Sequence, residues 1–161
     1  MMGSGKTSVG IALSTKLGWP YLDNDTLLER TAGATARDLL DNQGETALRQ
    51  AESQVLTLLL GMPGPMIGSV AGGCVLDEHD RLRLIQSTAR VVWLRASPQG
   101  LVRRVSGTVR PLLGDDPAAA LRKLASERNG FYAEVADQVI DVDVIPVGAV
   151  AKQIIEELPE G

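Results

Sequence analysis

Aromatic residues, histidine and cysteine are all scarce in this 161-residue chain: five aromatic side chains, one histidine and one cysteine. The formal charge is −4, and no lysine-rich block stands out. A nucleic-acid surface would need a basic stripe and stacking platforms, so no nucleic-acid partner is expected. The single histidine, His79, rules out a histidine-rich zinc site and speaks against a Ser-His-Asp arrangement. It lies in the charged stretch "DEHDRLR", where solvation is its ordinary fate. One cysteine cannot form an internal disulfide, which fits a reducing cytosol, and a cytoplasmic location is expected. The longest apolar runs, such as Val55-Leu56-Thr57-Leu58-Leu59-Leu60, are far too short to span a bilayer, so no membrane is expected. No charged region followed by an apolar one opens the sequence, so no export signal is expected.

What is present is an alternation of strands and helices in one domain, 1–161, with 44 % hydrophobic residues and no repeats. Val9, Ala12, Leu13 and Leu17 recur at helical spacing after a glycine-rich start, and Gly18 stops that helix. "WPYLD" reads as a short strand, followed by helical stretches around 25–32 and 35–41. Asn42 then opens a longer helix, with Glu45 three residues on in the position of a capping box. "PMIGSVA", "RVVWLRA" and "QVIDVD" read as further strands. Asp116 caps a helix with Pro117 in its first turn, and 146–157 form the last helix. Apolar strands alternating with helices predict an α/β fold with a parallel sheet covered on both faces. Ligands of such sheets sit at the carboxyl ends of the strands.

The chemistry-bearing residues fall at those ends. Gly3-Ser4-Gly5-Lys6-Thr7 matches the second half of the phosphate-loop pattern G-x-x-x-x-G-K-[ST], whose first glycine would lie one residue before Met1. In such a loop, backbone N–H groups face an anion, the lysine reaches the terminal phosphates and the hydroxyl faces Mg²⁺. A flexible glycine tail ahead of a capped helix is the competing reading. Asp23 and Asp25 bracket the end of the second strand, and strand alternation points both carboxylates the same way. One can hold a hydrated Mg²⁺ while the other takes a hydroxyl proton; alone, they also read as solubilising turn residues. Arg49 and Glu52 share one helix face, where a surface ion pair is the ordinary reading. Arg110 and Arg128 each stand in a loop or at a helix end, and the planar arginine fork suits carboxylate or phosphate.

Seven stretches, "MGSGKTSVG", "LGWPYLDND", "GETALRQAE", "AGGCV", "VVWL", "TVRPLL" and "ERNGFY", together resemble the shikimate kinase family, in that family's order and about its spacing. The resemblance implies a P-loop NTPase-type, three-layer fold similar to nucleoside monophosphate kinases. Such a fold has a central parallel sheet flanked by helices and a mobile lid, here about 105–117. It implies ATP-dependent phosphorylation of shikimate, with ATP and Mg²⁺ as cofactors and a monomer as the expected state. By position, Gly3, Ser4, Gly5, Lys6, Thr7 and Ser8 would bind ATP, with Thr7 and Asp23 at the metal. Asp25 resembles the residue that binds and deprotonates the attacking hydroxyl. Arg49 and Arg128 resemble the clamp on the substrate carboxylate, and Gly72 and Gly73 let the backbone approach. Arg110 would fold over the transferring phosphoryl group, with Arg104 near the adenine.

The chain departs from that pattern in five places. The first, central strand and the first loop glycine are absent. A triple glycine reads Ala71-Gly72-Gly73, Leu40 and Leu48 stand where phenylalanines are usual, Gly130 replaces a proline, and "DVDVIPV" lacks a basic residue. The leucines and Ala71 imply an apolar pocket of altered shape; Cys74 is expected to be a small buried residue. The first departure leads to the expectation of a misplaced start, with an apolar strand and a glycine encoded ahead of Met1. It also leads to the expectation that the chain as given folds poorly, since buried unpaired strand groups cost about 1–3 kcal/mol each. Two other readings stay open: another small-molecule kinase of this fold, and a non-catalytic nucleotide-binding remnant. Retention of Asp25, Arg49, Arg110 and Arg128 favours catalysis over the remnant, because a mere binder needs no acceptor clamp.

Overall fold

Short strands in this protein end where polar caps take over the backbone. The computed structural model describes residues 3–105 and 116–158. The chain runs α1 (Lys6–Leu17), β1 (Tyr21–Leu22), α2 (Asn24–Ala32), α3 (Ala36–Gly61), β2 (Ile67–Gly68), a 3₁₀ turn (Cys74–Leu76) and α4 (Glu78–Gln86). It continues with β3 (Val92–Arg95), α5 (Pro98–Val105), α6 (Pro117–Val135), β4 (Gln138–Asp141) and α7 (Val147–Glu156). β1 lasts only two residues because Asp23 already serves as the N-cap of α2, its carboxylate accepting the Asp25 N–H at 2.9 Å.

The strands pair in parallel as two separate two-stranded sheets. Tyr21 stands opposite Ile67 and Leu22 opposite Gly68 in one sheet; Val92 to Arg95 match Gln138 to Asp141 in the other. Among the described residues no strand joins β2 to β3. Helices cover both pairs. Val9 and Leu13 of α1 meet Val150 and Ile154 of α7 over Leu94 and Ile140. α2 packs on α3 through Leu27, Leu28, Leu48 and Val55. A third cluster joins Leu56, Cys74, Leu84 and Tyr132, tying α3, the 3₁₀ turn, α4 and α6 together.

Helix boundaries differ from the sequence reading around Asn42. Residues 36–61 form one run, broken by a kink at Gly44, whose φ of 85° and ψ of 176° are not helical. The capping box belongs to Thr35 and Asp38 at the start of that run, not to Asn42 and Glu45. Threonine at Ncap and aspartate at N3 satisfy two otherwise orphaned N–H groups at once, which fixes the helix start there. Asp116 does cap α6, accepting the Ala119 N–H at 2.9 Å with Pro117 in the first turn. Cys74 is buried, His79 is exposed, and no described helix is long and apolar enough to cross a membrane.

Candidate active site

The phosphate-loop residues form a left-handed glycine turn at the head of α1. Gly3 has φ 74° and Gly5, the N-cap, has φ 90°, a region that other residues enter only with strain. Helix hydrogen bonding begins at once, the Val9 N–H donating to the Gly5 carbonyl at 2.9 Å. The turn thus sets backbone donors and the helix dipole at one point, the arrangement that binds anions. Ser4 is buried, Lys6 half-buried, and Thr7 and Ser8 are exposed beside them.

Asp23 joins this turn to the end of β1. Its Oδ2 accepts the Tyr21 hydroxyl at 2.7 Å, and the Thr7 and Ser69 hydroxyls at 3.3 Å each. Ser69 in turn accepts the Asn24 N–H at 3.0 Å. Burial pushes the Asp23 carboxyl up, but the Tyr21 hydroxyl, the N–H groups of Asp25 and Thr26 and the Ser69 hydroxyl outweigh it. The carboxyl is held below its ordinary value. Two hard oxygens, Thr7 Oγ1 and an ionised Asp23, therefore meet beside the anion turn, a donor set suited to Mg²⁺ that shares its remaining positions with phosphates and water. Tyr21 rests its ring against Gly10, where any side chain would overlap it.

Asp25 departs from the strand geometry expected of it. It lies in the first turn of α2, exposed, with Oδ1 accepting from Asn24 Nδ2 at 3.2 Å. The cap at Asp23 starts the helix too early for both aspartates to share a strand face.

Arg49 and Glu52 form no surface pair. Arg49 Nη1 donates to Glu52 Oε2 at 2.6 Å and Nη2 to Glu45 Oε1 at 2.9 Å, while the Glu52 side chain is only 10 % exposed. Burial opposes the charge on Arg49, but the two glutamates restore it and raise its pKa. Burial likewise lifts the Glu52 carboxyl; Arg49 and Arg128 pull it back, and Asp25 pushes with burial. Asp25, Arg49, Glu52 and Arg128 are thus within electrostatic reach of one another, although they come from three helices.

Arg128 stands within α6, about two turns from the helix end rather than in a loop, and its Nη1 approaches the Gly72 carbonyl at 3.4 Å. The Tyr132 hydroxyl donates to the same carbonyl at 2.8 Å. Gly73 has ordinary helical angles, so it is not a conformational glycine. A β-carbon there would collide with the Arg49 guanidinium and lie 2.9 Å from Glu52 Oε2. The Nε–H groups of both Arg49 and Arg128 are buried without a hydrogen-bond partner. Two guanidinium groups with spare donors beside a glycine backbone are chemistry suited to an anion.

With this geometry in view, comparison with known proteins is decisive. The family model described as shikimate kinase matches residues 2–159. The chain belongs to the shikimate kinase family. It is 38 % identical to a shikimate kinase of Symbiobacterium thermophilum, over 99 % of this chain and 93 % of that protein. The solved structure of shikimate kinase from Acinetobacter baumannii in complex with shikimate superposes with a TM-score of 0.90 at 32 % identity. That match covers 96 % of this chain and 87 % of the other. The enzyme from Aquifex aeolicus gives 0.79 at 27 %, covering 97 % and 90 %. The P-loop kinase fold expected from the sequence is therefore the fold of this chain.

Of the residues singled out from the sequence, Thr7 and Asp23 come into contact, and Arg49, Gly72, Gly73 and Arg128 converge. Arg110, the side chain of Arg104 and nearly all of the lid at 105–117 lie outside the described residues. The Arg49–Glu52 pair was read from its spacing as a surface pair, and its burial was not foreseen; nor were Tyr21, Ser69 and Tyr132 as partners of the site. Only Tyr132 carried a signal: it follows Arg128 by four residues, one helical turn.

Proposed function

We propose that this chain transfers the γ-phosphoryl group of ATP to a hydroxyl of shikimate, giving shikimate 3-phosphate and ADP. The observation that carries the reading is the pair of buried, unpartnered Nε–H groups on Arg49 and Arg128 beside Gly72 and Gly73. They suit the carboxylate of a small anionic acceptor, and a nucleotide binder without an acceptor would have no use for them.

In this reading the Gly3–Gly5 turn and Lys6 hold the phosphates, with Ser8 beside them. Thr7 and Asp23 hold Mg²⁺, which when bound offsets charge on the donor phosphates. Asp25 takes the proton of the acceptor hydroxyl as its oxygen bonds to the γ-phosphorus and the bond to the β-phosphate oxygen breaks. Arg110 over the transferring group and Arg104 near the base complete the assignment from the family resemblance. Positioning and charge neutralisation supply most of the catalysis in such transfers.

A coupled ADP-release assay with shikimate, gluconate and nucleoside monophosphates tests this. Turnover with shikimate, dependent on added Mg²⁺, is the expected result. Turnover of another acceptor with none on shikimate would overturn the substrate, and ATP binding without any turnover would favour the remnant.

A further inference from the structure

The Gly72 carbonyl receives two donors from one helix, and only one of them can do its other task at the same time. Tyr132 and Arg128 lie one turn apart on α6. The Tyr132 hydroxyl sits 2.8 Å from the Gly72 oxygen, a full hydrogen bond, while Arg128 Nη1 at 3.4 Å is at the limit of one. Tyr132 is 7 % exposed, and its ring is fixed against Trp93 with centroids 5.5 Å apart. The hydroxyl is therefore held in place by packing, whereas the arginine is a long side chain with a spare, buried Nε–H.

We propose that Tyr132 is a positioning residue: by satisfying the Gly72 carbonyl, it releases the Arg128 guanidinium for the acceptor's carboxylate. This rests on the acceptor reading given above and deepens it. The half-buried Gly72 carbonyl is poorly placed to stay unpaired. Remove the hydroxyl, and the nearest replacement is Arg128 Nη1, which needs to move in by only a few tenths of an ångström to make a standard bond. An arginine bonded to the backbone then presents a rotated and partly used fork to the acceptor. The same hydroxyl orients the Gly72–Gly73 peptide. With the carbonyl drawn towards α6, the planar trans peptide points the Gly73 N–H the opposite way.

Tyr132→Phe keeps the ring and removes only the donor. The shikimate KM should rise about fivefold to tenfold, the scale of one buried hydrogen bond, with the ATP KM changed less than about twofold. In an Arg128→Ala background the same change should add less than about twofold, because the group being released is gone. An unchanged shikimate KM in the first case, or an equal factor in both backgrounds, overturns the proposal. A purely packing role would lower Tm and leave the ratio of the two KM values where it was. A second readout does not depend on the acceptor: the ¹⁵N spectrum of the free protein. The Arg128 Nε–H signal should shift and exchange with solvent at a different rate in Tyr132→Phe. An Arg128 signal identical to the parent's overturns the proposal even if shikimate is not turned over, a result that would separately sink the substrate assignment.

Discussion

At the head of α1 the site consists of a left-handed glycine turn, a lysine and exposed hydroxyls, whereas at Gly72–Gly73 it consists of buried charges packed against one another. Nothing lies within 4 Å of where a Gly5 side chain would go; a Gly73 side chain would run into Arg49. The phosphate end depends on backbone conformation and the acceptor end on volume. That contrast suits the ligands: phosphates are met by N–H groups, which belong to any residue, but a small carboxylate needs arginine forks at fixed places. Asp25, which the proposed reading puts between the two ends as proton acceptor, is exposed and within electrostatic reach of Glu52.

The largest effect is expected from the residue between the ends. Asp25→Asn should lower kcat at least ~10²-fold while the ATP KM stays near the parent's. Near-parental turnover would mean that the proton leaves by another route, and that the two binding ends suffice for catalysis.

A pair of glycine substitutions sharpens the contrast itself. Gly73→Ala puts a methyl group into the Arg49 guanidinium, which Glu45 and Glu52 hold from the other side, so there is no easy retreat. Shikimate KM should rise more than about tenfold, with a loss of stability of about 1–3 kcal/mol from overpacking. Gly5→Ala meets no neighbour but must hold φ near 90°, a strain of about 1–3 kcal/mol, and should weaken ATP instead. Steady-state titrations of both substrates against both variants give the answer. If each variant raised both KM values alike, the two ends would be one mechanical unit.

How far the sequence could be read follows the same division. The glycine turn with Lys6 and Thr7 is a contiguous pattern, so it was visible at once. The Thr7–Asp23 contact agrees with what the family resemblance implied by position. The parallel pairing and most helices were legible because apolar periodicity and caps are local. The division into two helices near Asn42 was legible, but it falls at Gly44, and the capping box sits at Thr35–Asp38 where the first of them starts. Asp25 was misassigned to a strand because an N-cap and a strand end use the same residue type. At the acceptor end, spacing along α3 showed that Arg49 and Glu52 were neighbours but not that the pair is buried. Burial comes from Gly73 and α6, which lie far away in sequence. Spacing sets Tyr132 one turn from Arg128, but its role is legible only once the Gly72 carbonyl has a position.

The smallest expected effect compares two carboxyls by pH. Asp23, at the phosphate end, is raised by burial but lowered further by its donors, so its folded value is below the ordinary 3.8. Its contribution to stability is complete above the ordinary value and is lost as pH falls through the folded one. Glu52, at the acceptor end, is shifted the other way, above 4.5, with burial as the main cause. Folding there favours the protonated form, so its contribution is complete below the ordinary value and is lost as pH rises through the raised one. Thermal unfolding of Asp23→Asn and Glu52→Gln beside the parent should show this as opposite trends. The Tm deficit of Asp23→Asn should widen as pH rises out of the range below 3.8; that of Glu52→Gln should shrink as pH climbs past 4.5. The opposite signs of the two trends are the readout. Deficits that moved together would mean that Glu52, like Asp23, is held by its partners more than it is penalised by burial. The acceptor end would then owe its shape to the Arg49 and Arg128 charges alone.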